Sequence, residues 1–599
     1  MSNIDFHEED FTSRFSGKTV GRLLKLLVPH WRNALAFLVL IGVVSFQDAL
    51  FTFLTKLILD EGLFAHDMAR FWTLMGVYGG VAVTQAFMVF GFIVSAGFLG
   101  ERVQYDLRKR MFNHLQDLSF SYFDRTPLGW IMARVTSDSG KIAGTITWGL
   151  VDLTWSILNI LISVGFMIAI NPVLGAVVCA VIPLMALVSV KFQTRIFEQY
   201  RRVRKLNSKL TARHNENISG VRVVKALGRE DKNLEEFGAQ AREMYEASYR
   251  AARISALFLP AIQILGSLAF AAIVLYSGLD RTAGGASGIS LGSVQAFLSY
   301  LALMLWPVQQ MARVWAGLQS SLASAERVFS LVDTAPAIRD RPGAERAPHL
   351  KSEIGFDRVD FQYERGKPVL EDFNLAVAPG ATVALVGQTG SGKSTIINLL
   401  ARFYEPTGGA IRFGGVDYTR YTCQSIQSRI GIVLQTPHLF SGSIRENIRY
   451  GKLDASDAEI EAAARLSRAH GFIERLGKGY DEEVGENGSL LSTGQKQLVC
   501  LARAVLSDPD VFIMDEATSA IDTETERLIQ EGEEAIFRGR TCLIIAHRLS
   551  TIRRADRIIV LHRGRIEEDG THDELIARRG RYHGLYTKSF ELEEERQLV

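Results

Sequence analysis

The run Gly387-Gln-Thr-Gly-Ser-Gly-Lys-Ser-Thr395 is followed in chain order by Leu491-Ser-Thr-Gly-Gln495 and Val511-Phe-Ile-Met-Asp-Glu516. The first run has the spacing G-x-x-x-x-G-K-[ST]. In that pattern a glycine-rich turn lets backbone N–H groups wrap phosphate oxygens, and a lysine and a hydroxyl complete the site. The third reads as a buried strand of four apolar residues, 511–514, that delivers Asp515 and, one residue beyond, Glu516. Together the three describe a nucleotide engine.

The elements that must position these residues follow from the surrounding pattern. Short β-prone runs, 354–361, 382–386, 511–514 and 542–545, alternate with helical segments. That alternation predicts an α/β core with phosphate chemistry at the carboxyl ends of its strands. Ahead of it, Asp333–Pro348 is charged and proline-rich, the composition of a linker.

With 599 residues the chain exceeds what one hydrophobic core serves, so two or more domains are expected. Lys and Arg number 67 against 65 Asp and Glu, and no block of like charge reads as a nucleic-acid arm; no nucleic-acid partner is expected. Six apolar stretches, 34–59, 71–99, 147–170, 173–190, 256–278 and 291–311, approach the roughly 20 residues that cross a bilayer. Basic flanks at 14–32 and 101–141, against an acidic 60–67, a bare turn at Asn171-Pro172 and a Gly/Ser-rich 279–290, put both termini in the cytoplasm. The connections 101–146 and 191–255 carry helical periodicity into the cytoplasm and predict stalks with a turn at each tip. Residues 19–31 read as an interfacial helix. The acidic N-terminus argues against a signal peptide, and Cys179, Cys423, Cys500 and Cys542 show no metal-ligand spacing and predict no disulfide. The expected divisions are a cytoplasmic segment 1–32, a transmembrane domain 33–332, a linker 333–352 and a nucleotide-binding domain 353–599.

From about 20 to 590 the chain resembles an ATP-binding cassette (ABC) half-transporter of the multidrug or lipid exporter type. Besides the motifs above, Tyr363 lies ahead of the P-loop, Ile432-Val-Leu-Gln435 is similar to a Q-loop, Ser519-Ala-Ile-Asp522 to a D-loop, and Ala546-His-Arg548 to a switch region. Phe123–Gly129, Arg134–Asp138 and Glu216–Lys225 are similar to the family's cytoplasmic loops. The resemblance implies a membrane all-α, six-helix transmembrane domain with long cytoplasmic helical extensions, followed by an α/β P-loop ATP-binding cassette domain. It also implies a multi-pass protein of a bacterial inner membrane, using ATP and Mg²⁺, with a second half-transporter as partner.

By the same resemblance Gly387, Gln388, Thr389, Gly390, Ser391, Gly392, Lys393, Ser394 and Thr395 cradle the phosphates. Lys393 supplies a point charge, and Ser394, Asp515 and Gln435 serve Mg²⁺. Glu516 is the general base, His547 holds the γ-phosphate or the water, and Gln435 senses both metal and water. Tyr363 stacks on adenine. Ser492, Thr493, Gly494 and Gln495 meet the γ-phosphate of an ATP held by the other chain, with Asp522 at the same seam. Thr493 departs from the usual glycine, which leaves open a homodimer that tolerates threonine or a heterodimer with one strong site.

The implied function is ATP-driven export of a hydrophobic or amphipathic compound or a lipid by alternating access. An importer on the same scaffold, as siderophore carriers resemble, and an ATP-gated regulator are the alternatives; intact Glu516 argues against the regulator. Asp48, beside Gln47 in the first span, hints at a pathway or a partner. Gln85, Gln263, Gln295, Trp155 and Trp306 are candidates to line a cavity.

Overall fold

The computed structural model describes residues 17–282, 289–515, 522–546 and 548–587. Two units emerge, one of residues 1–117 and 126–334, the other of 118–125 and 335–599.

The first unit is helical. A short helix α1 (Gly17–Lys25) precedes α2 (Trp31–Leu57), which runs on through a π turn, Ile58–Phe64. The long helices are α3 (Met68–Asp117), α5 (Leu128–Ile170), α6 (Pro172–Ser219), α8 (Glu230–Thr282) and α9 (Leu291–Asp333), with the short α7 (Val221–Ala226) between α6 and α8; α4 (Phe120–Arg125), which lies between α3 and α5 in the chain, belongs to the second unit. Among the described residues five helices are long and apolar enough to cross a membrane, and α9 adds the apolar stretch Leu291–Pro307. The apolar window of α3 is hardly buried within the chain, as suits a surface solvated by lipid or by another subunit. At 1.5 Å per residue the 50 residues of α3 span about 75 Å, against about 30 Å of hydrocarbon, so the helix continues far outside it.

The tips of the stalks are more structured than the expected turns. Between α3 and α5 the chain forms α4, and Pro127, extended at ψ 135°, ends it and opens α5. Between α6 and α8 the chain forms α7, bracketed by Gly220 and by Gly228, whose φ of +60° turns the chain. At the other end Asn171 accepts hydrogen bonds from the N–H groups of Val173 and Leu174, and Pro172 starts α6. Residues 283–288 of the expected outer loop lie outside the described residues.

Two π turns, Arg134–Asp138 and Thr145–Gly149, interrupt α5 and were not anticipated from sequence. At the second, Thr147 approaches α3 so closely that a Cβ on Gly100 would lie 1.6 Å from its hydroxyl, so only glycine fits there. At the first, buried Asp138 accepts a two-pronged pair of hydrogen bonds from Arg327 of α9, at 2.9 and 2.7 Å, and one from Ser324 at 3.0 Å. Removing one partner of a buried pair strands the other charge. Asp138→Ala is therefore expected to destabilise the unit by about 3–5 kcal/mol, read as a lower melting temperature in detergent; an unchanged midpoint would discount the pair.

The second unit contains two sheets. Strands β1 (Ile354–Glu364), β2 (Lys367–Val377), β4 (Gly408–Phe413) and β5 (Val416–Asp417) form an antiparallel sheet in the order β2-β1-β4-β5. Strands β3 (Thr382–Val386), β6 (Ile430–Val433), β7 (Val511–Asp515), β8 (Thr541–Ile545), β9 (Arg557–His562) and β10 (Arg565–Gly570) form the other, ordered β10-β9-β3-β8-β7-β6 and parallel except for β10. The parallel strands β3, β7 and β8 are apolar except for one terminal residue each (Thr382, Asp515 and Thr541) and are buried along both faces, as a covered parallel sheet requires. One apolar cluster joins Val383, Leu385 and Ile513 to Phe356, Leu375 and Ile411 of the antiparallel sheet. A second joins Met514 and Ile544 to Leu498 and Val499 of the helix Thr493–Leu506. Leu350 and Ala347, in the expected linker, pack into the first of these clusters, and the Leu350 N–H donates to Asp510 at 2.9 Å. All four cysteines are free.

Candidate functional site

The phosphate loop leaves β3 at Val386 and ends at the helix Lys393–Leu400. Gly390 and Gly392 have φ of +83° and +106°, the region that favours glycine. A Cβ on Gly387 would lie 2.5 Å from the Leu561 carbonyl oxygen, so that glycine is required by space alone. Gln388, Thr389 and Gly390 form the exposed tip, whereas Ser391, Lys393 and Thr395 are buried. Lys393 donates to the carbonyl oxygens of Gly387 at 2.6 Å and Gln388 at 3.1 Å, closing the loop on itself. The buried Ser391 hydroxyl has no partner among the described residues. A loop of N–H groups with a spare hydroxyl and a lysine held on its own carbonyls is an anion cradle with donors in reserve.

The parallel sheet gathers the other candidates at one edge. Strands β3, β8, β7 and β6 are successive neighbours, and Asp515 closes β7 opposite Ile545 of β8. Gln435 follows β6 in an exposed bend, and Ser394 sits exposed in the first turn of the phosphate-loop helix. Burial holds the Lys393 amine below its ordinary pKa, with the Asp515 charge opposing that shift. Burial likewise raises the Asp515 carboxyl, with Lys393 opposing it. Each charge therefore offsets some of the other's desolvation. Glu516 and His547, which follow β7 and β8 in the sequence and carry the remaining expected roles, lie outside the described residues.

Tyr363, half-buried near the end of β1, packs edge-on against Phe361 and Tyr404, and its hydroxyl lies 3.2 Å from that of Thr395. The first turn of the phosphate-loop helix and the aromatic are thus in contact. Ser492 caps the helix Thr493–Leu506 by a reciprocal capping box: its hydroxyl accepts from the Gln495 N–H at 3.2 Å, and Gln495 Oε1 accepts from the Ser492 N–H at 3.0 Å. Thr493 is the exposed first residue of that helix, and Gly494 is buried. Asp522 caps the helix Thr523–Phe537, accepting from the Thr525 N–H at 2.9 Å, and those bonds lower its pKa.

The residues that seat α4 within the second unit carry no motif. Phe120 stacks on Phe403 with ring centroids 5.1 Å apart, the Tyr404 hydroxyl donates to Asp124, and Arg125 donates to the Tyr363 carbonyl oxygen at 2.7 Å. Burial and the neighbouring Asp124 push the Tyr404 phenol well above its usual range. The contact therefore runs from α4 to the strand that carries Tyr363 and to the residues just after the phosphate-loop helix. The only sequence signal was an aromatic pair, Phe403-Tyr404, following a helix that itself had an assigned role.

The family description of the ABC transporter transmembrane region matches residues 32–308, and that of the ABC transporter matches residues 370–519. An ATP-dependent lipid A-core flippase of Syntrophus aciditrophicus is 35% identical over 577 residues, 95% of this chain and 94% of that protein. The chain belongs to the ABC transporter family. A fatty acid ABC transporter ATP-binding/permease protein of Mycobacterium bovis is 40% identical over 479 residues, 80% of this chain and 75% of that protein. A solved bacterial Atm1-family ABC exporter with ATP bound superposes with a TM-score of 0.76 at 27% identity, covering 93% of this chain and 98% of that one. This ABC transporter is accordingly a multi-pass integral membrane half-transporter of the exporter type, which dimerises, binds nucleotide and couples ATP hydrolysis to export.

Proposed function

We propose that the chain exports a hydrophobic or amphipathic compound, or a lipid, from the cytoplasmic side of a bacterial inner membrane, with both termini and the nucleotide-binding domain in the cytoplasm. The observation that carries the reading is the convergence of Lys393, Ser394, Asp515 and Gln435 at the carboxyl edge of one parallel sheet. The lipid A-core flippase and the fatty acid transporter named above make amphipathic cargo the class to test first. The proposed domains are 1–32, 33–332, 333–352 and 353–599.

Mg²⁺ fits the donors on hand. Among the described residues no three His, Cys, Asp or Glu form a cage. One hydroxyl, Ser394, one carboxylate, Asp515, and one amide, Gln435, suit a cation that takes its other ligands from water and substrate phosphates. Bound there, the ion would neutralise charge on the β- and γ-phosphate oxygens. Lys393 exchanges the carbonyls of Gly387 and Gln388 for phosphate, Tyr363 offers its ring to adenine, Glu516 takes a proton from the attacking water and His547 holds the γ-phosphate. Ser492, Thr493, Gly494 and Gln495 of one chain close over the ATP of the other, with Asp522 beside that seam.

The homodimer reading is favoured by Thr493, because its side chain is exposed and the cap beneath it is intact. Thr493→Gly is expected to change the ATPase rate of the purified homodimer by less than about threefold, under 1 kcal/mol in barrier. A gain above tenfold would instead mark Thr493 as a defect that a different partner compensates. Measuring the mass and ATPase rate of the chain expressed alone and reconstituted in lipid tests the whole reading. A dimer that turns over ATP is expected; a monomer, or a dimer without turnover, contradicts it.

A further inference from the structure

Among the membrane-spanning helices, the Asp48 carboxylate is surrounded by neutral donors from separate helices. Asp48 of α2 accepts from Gln85 Nε2 of α3 at 2.7 Å, from Trp155 Nε1 of α5 at 3.1 Å and from Asn159 Nδ2 of α5 at 3.4 Å. These bonds fill lone pairs without cancelling charge. A carboxylate inside an apolar bundle is costly, and by default it marks a pathway or a ligand.

The surroundings say which kind of ligand. Trp155 meets Trp306 of α9 edge to face, with centroids 5.1 Å apart, and Trp306 is 47% exposed. Asp48 and Trp155 are only partly buried, so the carboxylate and both indoles remain in part accessible on this chain. The fully buried Asn159 Oδ1 has no partner among the described residues, and neither do the hydroxyls of Ser156 and Ser163 on the same helix. An orphaned carbonyl oxygen beside a carboxylate adds negative potential rather than relieving it. Two indole faces beside that potential attract a cation, through the ring quadrupole as well as through charge. Gln263 and Gln295 take no part: both are exposed, and Gln295 turns to Ser299.

We propose that Asp48, Trp155 and Trp306 form a recognition site within the membrane for the charged head of a lipophilic organic cation. The inference rests on the export reading above and narrows its cargo, since a fatty-acid carboxylate beside Asp48 meets a like charge. Packing alone does not require the charge, because an amide of the same size would join α2 to α3 and α5 equally well.

Tetraphenylphosphonium and tetraphenylborate have nearly the same shape and opposite charge. The test is equilibrium binding of each to the full-length protein in lipid nanodiscs without nucleotide, corrected with protein-free discs. Wild type is expected to bind the phosphonium saturably and at least tenfold more tightly than the borate. Asp48→Asn is expected to weaken phosphonium binding tenfold or more, and Asp48→Glu to return it to within about threefold of wild type. Equal binding of the two ions by wild type, or phosphonium binding in Asp48→Asn as tight as in wild type, overturns the proposal. Should the Asn variant not fold, the comparison of the two ions on wild type still decides. ATPase activity of the same wild-type sample reports separately on the motor: turnover without charge-selective binding sinks this inference alone, and charge-selective binding without turnover sinks the export reading.

Discussion

Glu516→Gln is expected to lower ATP turnover by at least about 100-fold while leaving ATP binding intact, the scale that a positioned general base contributes. The substitution keeps size and hydrogen-bonding capacity and removes only the group that accepts a proton. On the proposed reading ATP is held by the phosphate loop, by Asp515 and by the partner's Ser492 helix, and the change replaces none of those groups. With binding preserved and hydrolysis blocked, the closed dimer should accumulate. Phosphate release and nucleotide retention on a gel-filtered dimer measure the two effects together. Turnover within a few-fold of wild type would remove Glu516 from the chemistry.

Lys393→Ala has the opposite signature, loss of binding itself. In the phosphate loop the amine is buried and held at 2.6 Å from the Gly387 carbonyl oxygen. Swapping two neutral carbonyls for two charged phosphates strengthens each hydrogen bond, and charge-assisted bonds contribute about 1.5–3 kcal/mol apiece. Losing two of them predicts ATP affinity weaker by more than about 100-fold, read with a fluorescent ATP analogue. Asp515 loses its opposing charge in the same variant, so a modest fall in stability is also expected. Unchanged affinity would mean that the loop's N–H groups suffice without the lysine.

What could be read from the chain was local. The glycines of the phosphate loop were legible because positive φ at 390 and 392 and the tight approach at 387 leave no other residue type. Asp515 was legible because four apolar residues before a carboxylate describe a buried strand with a polar end. The membrane helices announced themselves by composition over about twenty residues.

The antiparallel sheet was not seen beyond β1, since β2, β4 and β5 are interrupted by charged and glycine-rich positions, and their partners are set by register rather than by composition. The helices α4 and α7 are six residues each, too short for a periodic signal. Asp48 was noticed as an anomaly, but its meaning required Gln85, Trp155, Asn159 and Trp306, from three other helices. Pairings of that separation follow from helix packing, which no window of sequence contains. The seating of α4 by Phe403 and Tyr404 was hidden for the same reason.

ATP is expected to draw the two nucleotide-binding domains of the dimer together. A spin label at the exposed position Lys478, introduced as Lys478→Cys in a Glu516→Gln background free of other reactive cysteines, reports the distance between the two copies in a lipid-embedded dimer. The predicted result is a broad, longer distance without nucleotide that collapses to a single shorter one when ATP and Mg²⁺ are added. A distance distribution indifferent to ATP, in protein shown to bind it, would contradict the account.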